Sequence, residues 1–430
     1  ILVKDALKVL NKEPDLQPVT ETEILKVIYR LVMQDSIVVE ENRIYITKQY
    51  QEEDDTASMI ARKLYERIPV LTIEKELEEA QKDLNITLSE QQKEAVRMVF
   101  ANPISIITGG PGTGKTTVLK VILYIYQKKC GNKVQLMAPT GRAARRMAES
   151  TGSGDATTMH MALGLFGDGD YEALIDELSA DFINVDEVSM VDMHLAYEFF
   201  YKVKAGARVL LVGDVHQLPS VGAGDVFRQL ILCGKIPVTV LNLVYRQGKD
   251  SNIPINAQLI NEGKTNLQWG DDFQMIECSG ADAAAQIVKN IYLKEIQVYG
   301  MEQVQILSPY KVRSAAGVLE LNRSLQDEVN PPVSGKRELH LGGEIFREGD
   351  RILQNKNTEF ASNGDLGTLV QIAEDEDNNP LVQIVFTDGR RVKYEAEQVE
   401  MIEHANAITI HKSQGSECQV VIIPWLKAFY

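Results

Sequence analysis

Ile104-Ser-Ile-Ile-Thr-Gly-Gly-Pro-Gly-Thr-Gly-Lys-Thr116 decides how the rest of this chain is read. It opens on an apolar run of the kind that a strand buried on both faces requires. The glycines that follow let successive backbone N–H groups turn toward phosphate oxygens. Residues 117–127 then read as a helix whose N-terminus adds partial positive charge. Strand, GxxxxGK(S/T) loop and helix in this order form a P-loop, a cradle for nucleotide phosphates. Gly110, Pro111, Gly112, Thr113, Gly114, Lys115, Thr116 and Thr117 are expected around bound ATP. Lys115 would reach the β- and γ-phosphates, and the Thr116 hydroxyl would ligate the nucleotide's Mg2+.

Working outward, the runs at 134–138, 182–186 and 209–213 are also short and apolar, and helical stretches separate them. That alternation predicts a doubly wound α/β sheet. The strand Phe182-Ile-Asn-Val185 runs into Asp186-Glu187. An acid at a strand end can hold Mg2+, and its neighbour can orient and deprotonate the attacking water, so the pair favours ATP hydrolysis. Gly213-Asp-Val-His-Gln-Leu-Pro219 brings Gln217 to the same edge, where it would sense the γ-phosphate or the attacking water, while His216 is expected to pack or face solvent.

The flanks divide the chain. Residues 1–50, helices followed by a short hairpin, predict a winged-helix-like module; 51–85, with alternating charge, predict a solvated helical connector. A first motor domain is expected over 86–237, with an insertion at 150–178. A second set of strands begins near Val238, includes 304–308 and 420–423, and predicts a second parallel-sheet domain over 238–334 and 401–430. Between its parts, 335–400 are rich in Gly, Asn and Asp with alternating strands, which predicts a small inserted β-barrel.

With 430 residues, the chain has room for two to four domains. Its 44% hydrophobic and 25% charged content excludes wholesale disorder. Neither a membrane-length apolar run nor a signal pattern occurs in it, so a cytoplasmic protein with no membrane partner is expected. Cys130, Cys233, Cys278 and Cys418 are too scattered for a zinc site or a disulfide framework. The net charge of −16 argues at first against a polyanionic partner. Between 101 and 150, however, eight basic side chains meet one acid, Glu149, a local balance of +7.

Seven segments stand in the order of superfamily 1 helicase motifs: Gln92 in its Leu88-Ser-Glu-Gln-Gln92 setting, the P-loop, Ala138-Pro-Thr-Gly-Arg-Ala-Ala-Arg145, Val185-Asp-Glu-Val-Ser-Met190, residues 213–219, Val244-Tyr-Arg-Gln247, and Thr409-Ile-His-Lys-Ser-Gln-Gly-Ser-Glu417. Their wording resembles the RecD-like branch, and the resemblance covers about residues 86–426. It implies two RecA-like parallel-sheet P-loop motor domains with ATP between them and single-stranded DNA across their tops, moving 5′ to 3′ in DNA repair or recombination. Carried over, Gln92 would read adenine, Lys115, Thr116, Asp186 and Glu187 would do the chemistry, and Arg246 would reach the γ-phosphate. Gly415 and Glu417 would lie near the nucleotide. Thr140, Gly141, Arg142 and His160 would contact DNA from the first domain, and Thr409, His411, Ser413 and Gln414 from the second. Residues 164–171 match the place of the family's strand-separating pin.

The family's YTAxTRAK-like segment, which supplies a second arginine, lies past Tyr430, and the first residue is Ile1, so truncation at both ends is expected. The resemblance implies single-stranded DNA and duplex junctions as partners, ATP and Mg2+ as cofactors, a monomer, and nuclease-complex subunits as further partners. An ATP-gated DNA-binding module without unwinding is the alternative, and an RNA helicase a weaker one.

Overall fold

The computed structural model describes residues 2–12, 18–131, 133–154, 156–165, 175–242, 251–312, 314–358, 360–374 and 379–427. Six parallel strands form its larger sheet, in the order Ala156–Thr158, Val134–Ala138, Phe182–Val185, Arg208–Gly213, Ile104–Gly109, Val238–Leu241. Ile104–Gly109, Phe182–Val185 and Arg208–Gly213 are buried at every position, which is why their sequences are almost unbroken apolar runs. Alternate residues feed two cores. Ile107, Leu210 and Val212 pack with Phe100, Ile122 and Tyr126 on one face; Ile106, Val209 and Leu211 pack with Phe199 and Phe227 on the other. Because all strands are parallel, their carboxyl ends bring the P-loop, Asp186 and residues 213–219 to one edge.

Val238–Leu241 corrects the expected boundary at 238. It pairs with Ile104–Gly109 as the edge of the first sheet instead of opening the second. Part of the insertion expected at 150–178 is likewise sheet, since Ala156–Thr158 extends Val134–Ala138. The connector at 51–85 is not merely solvated. Helix Thr47–Leu64 buries Glu52, Thr56, Ile60 and Lys63, and Glu74–Asp83 buries Leu77 and Ala80. Glu52 is tolerated there because its carboxylate lies 2.8 Å from His194 Nδ1.

A second sheet has three parallel strands in the order Ala407–Thr409, Val304–Ser308, Val420–Ile422. Helices Ala281–Tyr299 and Val318–Val329 cover it, and the buried Tyr292 donates from its hydroxyl to Asn406 Oδ1 at 3.1 Å. Threaded between Val318–Val329 and Ala407–Thr409 are the hairpin Glu338–Leu341/Glu344–Arg347 and a five-stranded antiparallel sheet. That sheet runs Arg391–Tyr394, Pro380–Phe386, Leu366–Glu374, Arg351–Gln354, Ile402–His404. Its last strand shows that the insertion extends past the expected limit of 400, to His404. The expected small β insertion is thus an antiparallel five-stranded sheet, whose two edge strands are not paired with each other among the described residues.

At the amino-terminal end, helices Leu2–Leu10 and Glu21–Met33 precede the antiparallel hairpin Ile37–Glu40/Arg43–Ile46. A capping box between Thr20 and Glu23 starts the second helix. Ile24 is the only buried residue among those described in 2–46, so this module contributes little core to the rest. Among the described residues, no helix is long and apolar enough to cross a membrane.

Candidate functional site

The P-loop takes its shape from its glycines. Gly112 (φ 76°) and Gly114 (φ 86°) lie in the left-handed region, and a Cβ on Gly114 would come 2.4 Å from Gln92 Nε2. The helix Lys115–Cys130 starts directly after it, with its N-terminus toward the loop. Lys115 donates to the carbonyls of Gly109 (2.6 Å) and Gly110 (3.1 Å), and the Thr113 hydroxyl donates to Gly110 O at 2.8 Å. Gln92, which the resemblance assigns to adenine, is 4% exposed. Its Oε1 accepts from the Ser89 amide at 3.0 Å and its Nε2 donates to Thr113 O at 3.2 Å. Both ends of the amide are therefore engaged beneath the loop.

Asp186 and Glu187 follow the end of Phe182–Val185, where Asp186 N donates to Met137 O at 2.9 Å. Asp186 Oδ1 accepts from Glu187 N at 2.9 Å. Burial raises the Asp186 carboxyl above its ordinary value, opposed by that amide and by the charges of Lys115 and Arg146. Glu187 is pushed up to about 7, first by burial and then by the charge of Asp186, against the pull of Lys115 and Arg146. Its Oε2 is buried with no hydrogen-bond partner. Its backbone has φ 53° and ψ 40°, a conformation that costs a non-glycine residue about 1–3 kcal/mol. A strained carboxylate with a free oxygen and near-neutral affinity for protons suits a general base.

The fit to a metal is limited. Among the described residues no three His, Cys, Asp or Glu side chains converge on a metal position. Thr116 and Asp186 could supply two protein oxygens to a magnesium ion that arrives with nucleotide phosphates, which is how Mg2+ is usually held.

Residues 213–219 line the edge of this cluster. Asp214 is 4% exposed; its Oδ1 accepts from His216 N at 3.0 Å, and its carbonyl from Gln217 N at 3.1 Å. Gln217 Oε1 is buried and unpartnered, beside a cavity of about 70 Å³ that Ser189 and Arg228 also line. His216 is exposed, with Nδ1 2.7 Å from Asn261 Nδ2.

Thr140 caps the helix Gly141–Thr151 through its hydroxyl, and from this helix the two domains meet. Arg142 donates to Ser416 Oγ at 2.6 Å; Arg146 donates to Gly415 O at 2.8 Å and pairs with Glu417 at 2.7 Å. Arg145 pairs with Asp365 and, at 3.1 Å, with Asp388, both in the inserted sheet. A Cβ on Gly141 would fall 2.0 Å from Ser362 Oγ. Of the three arginines on this helix, Arg145 and Arg146 are thus paired with acids of the inserted segment and the second domain, while Arg142 meets a hydroxyl. Sequence reasoning missed Ser362, Asp365, Asp388 and Arg390; the signal was the density of Gly, Asn and Asp in that segment.

The last motif's loop begins at Thr409, the end of the strand Ala407–Thr409. His411 is exposed, Ser413 donates to Ile410 O at 2.7 Å, and Gln414 reaches the first domain, donating to Leu218 O at 3.0 Å. His160 stands in the short helix Met159–Ala162, with Nδ1 buried and unpartnered. Arg246 and most of the expected pin, from residue 166 on, lie outside the described residues.

Comparison with known proteins gives concordant matches. Residues 87–281 match the family described as an AAA domain, and 321–386 the ATP-dependent RecD-like DNA helicase SH3 domain. The ATP-dependent RecD2 DNA helicase of Deinococcus radiodurans is 34% identical over 335 residues, 78% of this chain and 45% of that protein. The RecBCD enzyme subunit RecD of Haemophilus influenzae is 27% identical, over 77% of this chain and 64% of its own length. The chain therefore spans about half the length of the first of these curated relatives and two thirds of the second. A structure of Pif1 helicases at forked double-stranded DNA shares the fold, with a TM-score of 0.50 and 22% identity over 79% of this chain and 86% of that one.

Proposed function

Because this chain belongs to the RecD-like superfamily 1 DNA helicase family, we propose that it is an ATP-driven motor that moves 5′ to 3′ on single-stranded DNA and opens duplex ahead of it. One observation carries this reading most directly. Glu187, with its unpartnered oxygen, stands within the electrostatic reach of the P-loop Lys115, at an edge met by the second domain's residues 414–417. In this reading Lys115 binds the β- and γ-phosphates, Glu187 takes the proton of the attacking water, and Gln217 orients that water. Thr116 and Asp186 would hold a magnesium ion, which when bound withdraws charge from the phosphates. Arg246 would approach the γ-phosphate from the second domain. Gln92 supports the loop from below, and reading adenine would require its amide to leave Thr113 O.

DNA would cross the two parallel-sheet domains, read here as RecA-like halves, between Thr140, Gly141, Arg142 and His160 on one side and Thr409, His411, Ser413 and Gln414 on the other. The exposed His411 and the unpartnered His160 Nδ1 support that path. Opening a base-pair step costs about 1.4 kcal/mol, so unwinding needs a hydrolytic cycle that closes and reopens the cleft between the domains. Repair or recombination junctions are the proposed substrates, and subunits of a nuclease complex the proposed partners.

Strand displacement tests the proposal. With Mg2+ and ATP, a duplex carrying a 5′ single-stranded tail should open and one with a 3′ tail should not, and Lys115→Ala and Glu187→Gln should abolish the activity. ATP hydrolysis should rise with single-stranded DNA more than with RNA. Hydrolysis indifferent to DNA would sink the reading, and ATP-dependent DNA binding without displacement would make the protein a gated binder.

A further inference from the structure

Ser189 takes no part in the chemistry proposed above, yet it stands two residues past Glu187, in the short turn Val188–Met190. That turn packs on the end of the strand Arg208–Gly213, where a Cβ on Gly213 would come 3.3 Å from Val188 N. The chain beyond Gly213 leads to Gln217. Ser189 is 7% exposed, and its hydroxyl is buried with no hydrogen-bond partner. Gln217 Oε1 is buried and unpartnered as well. Both residues line the same cavity of about 70 Å³, together with Asp225, Phe227 and Arg228. A hydroxyl can donate and an amide oxygen accepts, so the two atoms are complementary. They are not bonded to each other directly, and a buried polar atom without any partner is costly. A buried water needs roughly 10–15 Å³ of such space and two to four polar partners. The cavity has that room, and Ser189, Gln217, Asp225 and Arg228 provide the polar groups.

We infer that Ser189 is a positioning residue for Gln217: water in this cavity joins its hydroxyl to Gln217 Oε1 and so fixes the amide. With Oε1 held there, Nε2 is the end left to donate. A donor can hold a γ-phosphate oxygen or the oxygen of the attacking water, but it cannot take that water's proton, which stays with Glu187. The inference rests on the ATPase reading of the site and narrows the part of Gln217 in it to donation. Ser189 thus ties the segment that carries the base to the segment that aligns the water. Neither Ser189 nor the cavity belongs to the phosphate cradle, so losing the hydroxyl should slow hydrolysis and leave nucleotide affinity nearly unchanged.

The test is single-turnover ATP hydrolysis by the full chain, with Mg2+ and saturating single-stranded DNA, alongside binding of a fluorescent ATP analogue. Wild type is compared with Ser189→Ala, Gln217→Ala and the double variant Ser189→Ala/Gln217→Ala. Ser189→Ala should slow hydrolysis about three- to tenfold, the usual effect of one lost hydrogen bond, with affinity within about twofold. Gln217→Ala should be slower still. The double variant should be no slower than Gln217→Ala, because the hydroxyl acts only through that amide. An unchanged hydrolysis rate in Ser189→Ala overturns the inference. So does a loss that recurs in full in the Gln217→Ala background, or one that comes with weaker nucleotide binding and a lower melting temperature, since either would mark a merely structural serine. Full-rate hydrolysis by Gln217→Ala would sink the reading of Gln217 and this inference with it, whereas a slow Gln217→Ala beside an unaffected Ser189→Ala sinks the inference alone.

Discussion

At the residue scale, Lys115 and Glu187 should separate binding from chemistry. Lys115 is the cation of the cradle, so Lys115→Ala should weaken nucleotide binding as well as hydrolysis. Glu187 instead offers a buried, unpartnered Oε2, and its backbone is held at φ 53° against steric cost. Glu187→Gln keeps shape and removes the base, so hydrolysis should fall about 10²–10⁴-fold, the usual worth of a general base. Affinity for a fluorescent ATP analogue should stay within a few-fold. Parallel loss of binding and hydrolysis in Glu187→Gln would mean that the carboxylate serves the nucleotide and not the water. These two residues were legible because their signals are local: glycines before a Lys, and an acid pair at the end of an apolar strand. Gln92 was legible as a candidate site residue; its contact with Ser89 is a local capping box at the start of the helix Glu90–Ala101, whereas its contact with Thr113 depends on how that helix docks under the loop.

At the element scale, the helix Gly141–Thr151 meets the turn at Ser362 so closely that a methyl group has no room. Gly141→Ala should gain some helix propensity yet lose about 1–3 kcal/mol to overpacking, and Ser362→Gly should restore much of that loss. Chemical denaturation of the single and double variants measures it; an additive double variant would mean that the two sites do not touch. The strand Ile402–His404 carries a second prediction. Burial opposes charge on Glu403, but Lys311 at 2.7 Å and Lys412 at 3.1 Å outweigh it and hold its pKa below the ordinary 4.5. A carboxyl with a depressed folded pKa contributes stability above the unfolded value and loses it as pH falls through the folded one. Glu403→Gln should therefore be less stable than wild type at pH 7, with the gap closing in melting scans as pH falls below the ordinary 4.5 and through the lowered folded value. A gap that persisted into acid would show that packing, not charge, accounts for it. Element type was readable from apolar periodicity, but sheet membership was not. Val238–Leu241 is an apolar run that fits either sheet, and only its docking beside Ile104–Gly109 decides. The acidic pattern at Glu52 likewise gave no hint that His194, 142 residues on, would pair with it.

At the scale of the whole molecule, the charge distribution takes its meaning from contacts between domains. Arg145 and Arg390 face Asp365 and Asp388, two cations against two anions, so the network is close to neutral. Asp365 is almost fully buried, 1% exposed at its side chain, between guanidinium groups that are about one third exposed. The insertion thus sets its anions against the very helix expected at the DNA. No local reading of the +7 between residues 101 and 150 could have found this, because the neutralising carboxylates lie more than 200 residues away. It follows that neutralising both acids should free Arg145 for a strand. Asp365→Asn/Asp388→Asn should destabilise the fold by leaving Arg390 unpaired, yet bind single-stranded DNA several-fold more tightly at low salt. Each added phosphate contact should steepen the dependence of log affinity on log salt by about 0.7. Fluorescence anisotropy with labelled single-stranded DNA between about 50 and 200 mM salt spans the range in which such contacts are lost. Tighter binding with a steeper slope would establish that insertion and DNA compete for one basic face. An unchanged slope would mean that Arg145 belongs to the joint between the domains alone, and that DNA takes its charge contacts elsewhere.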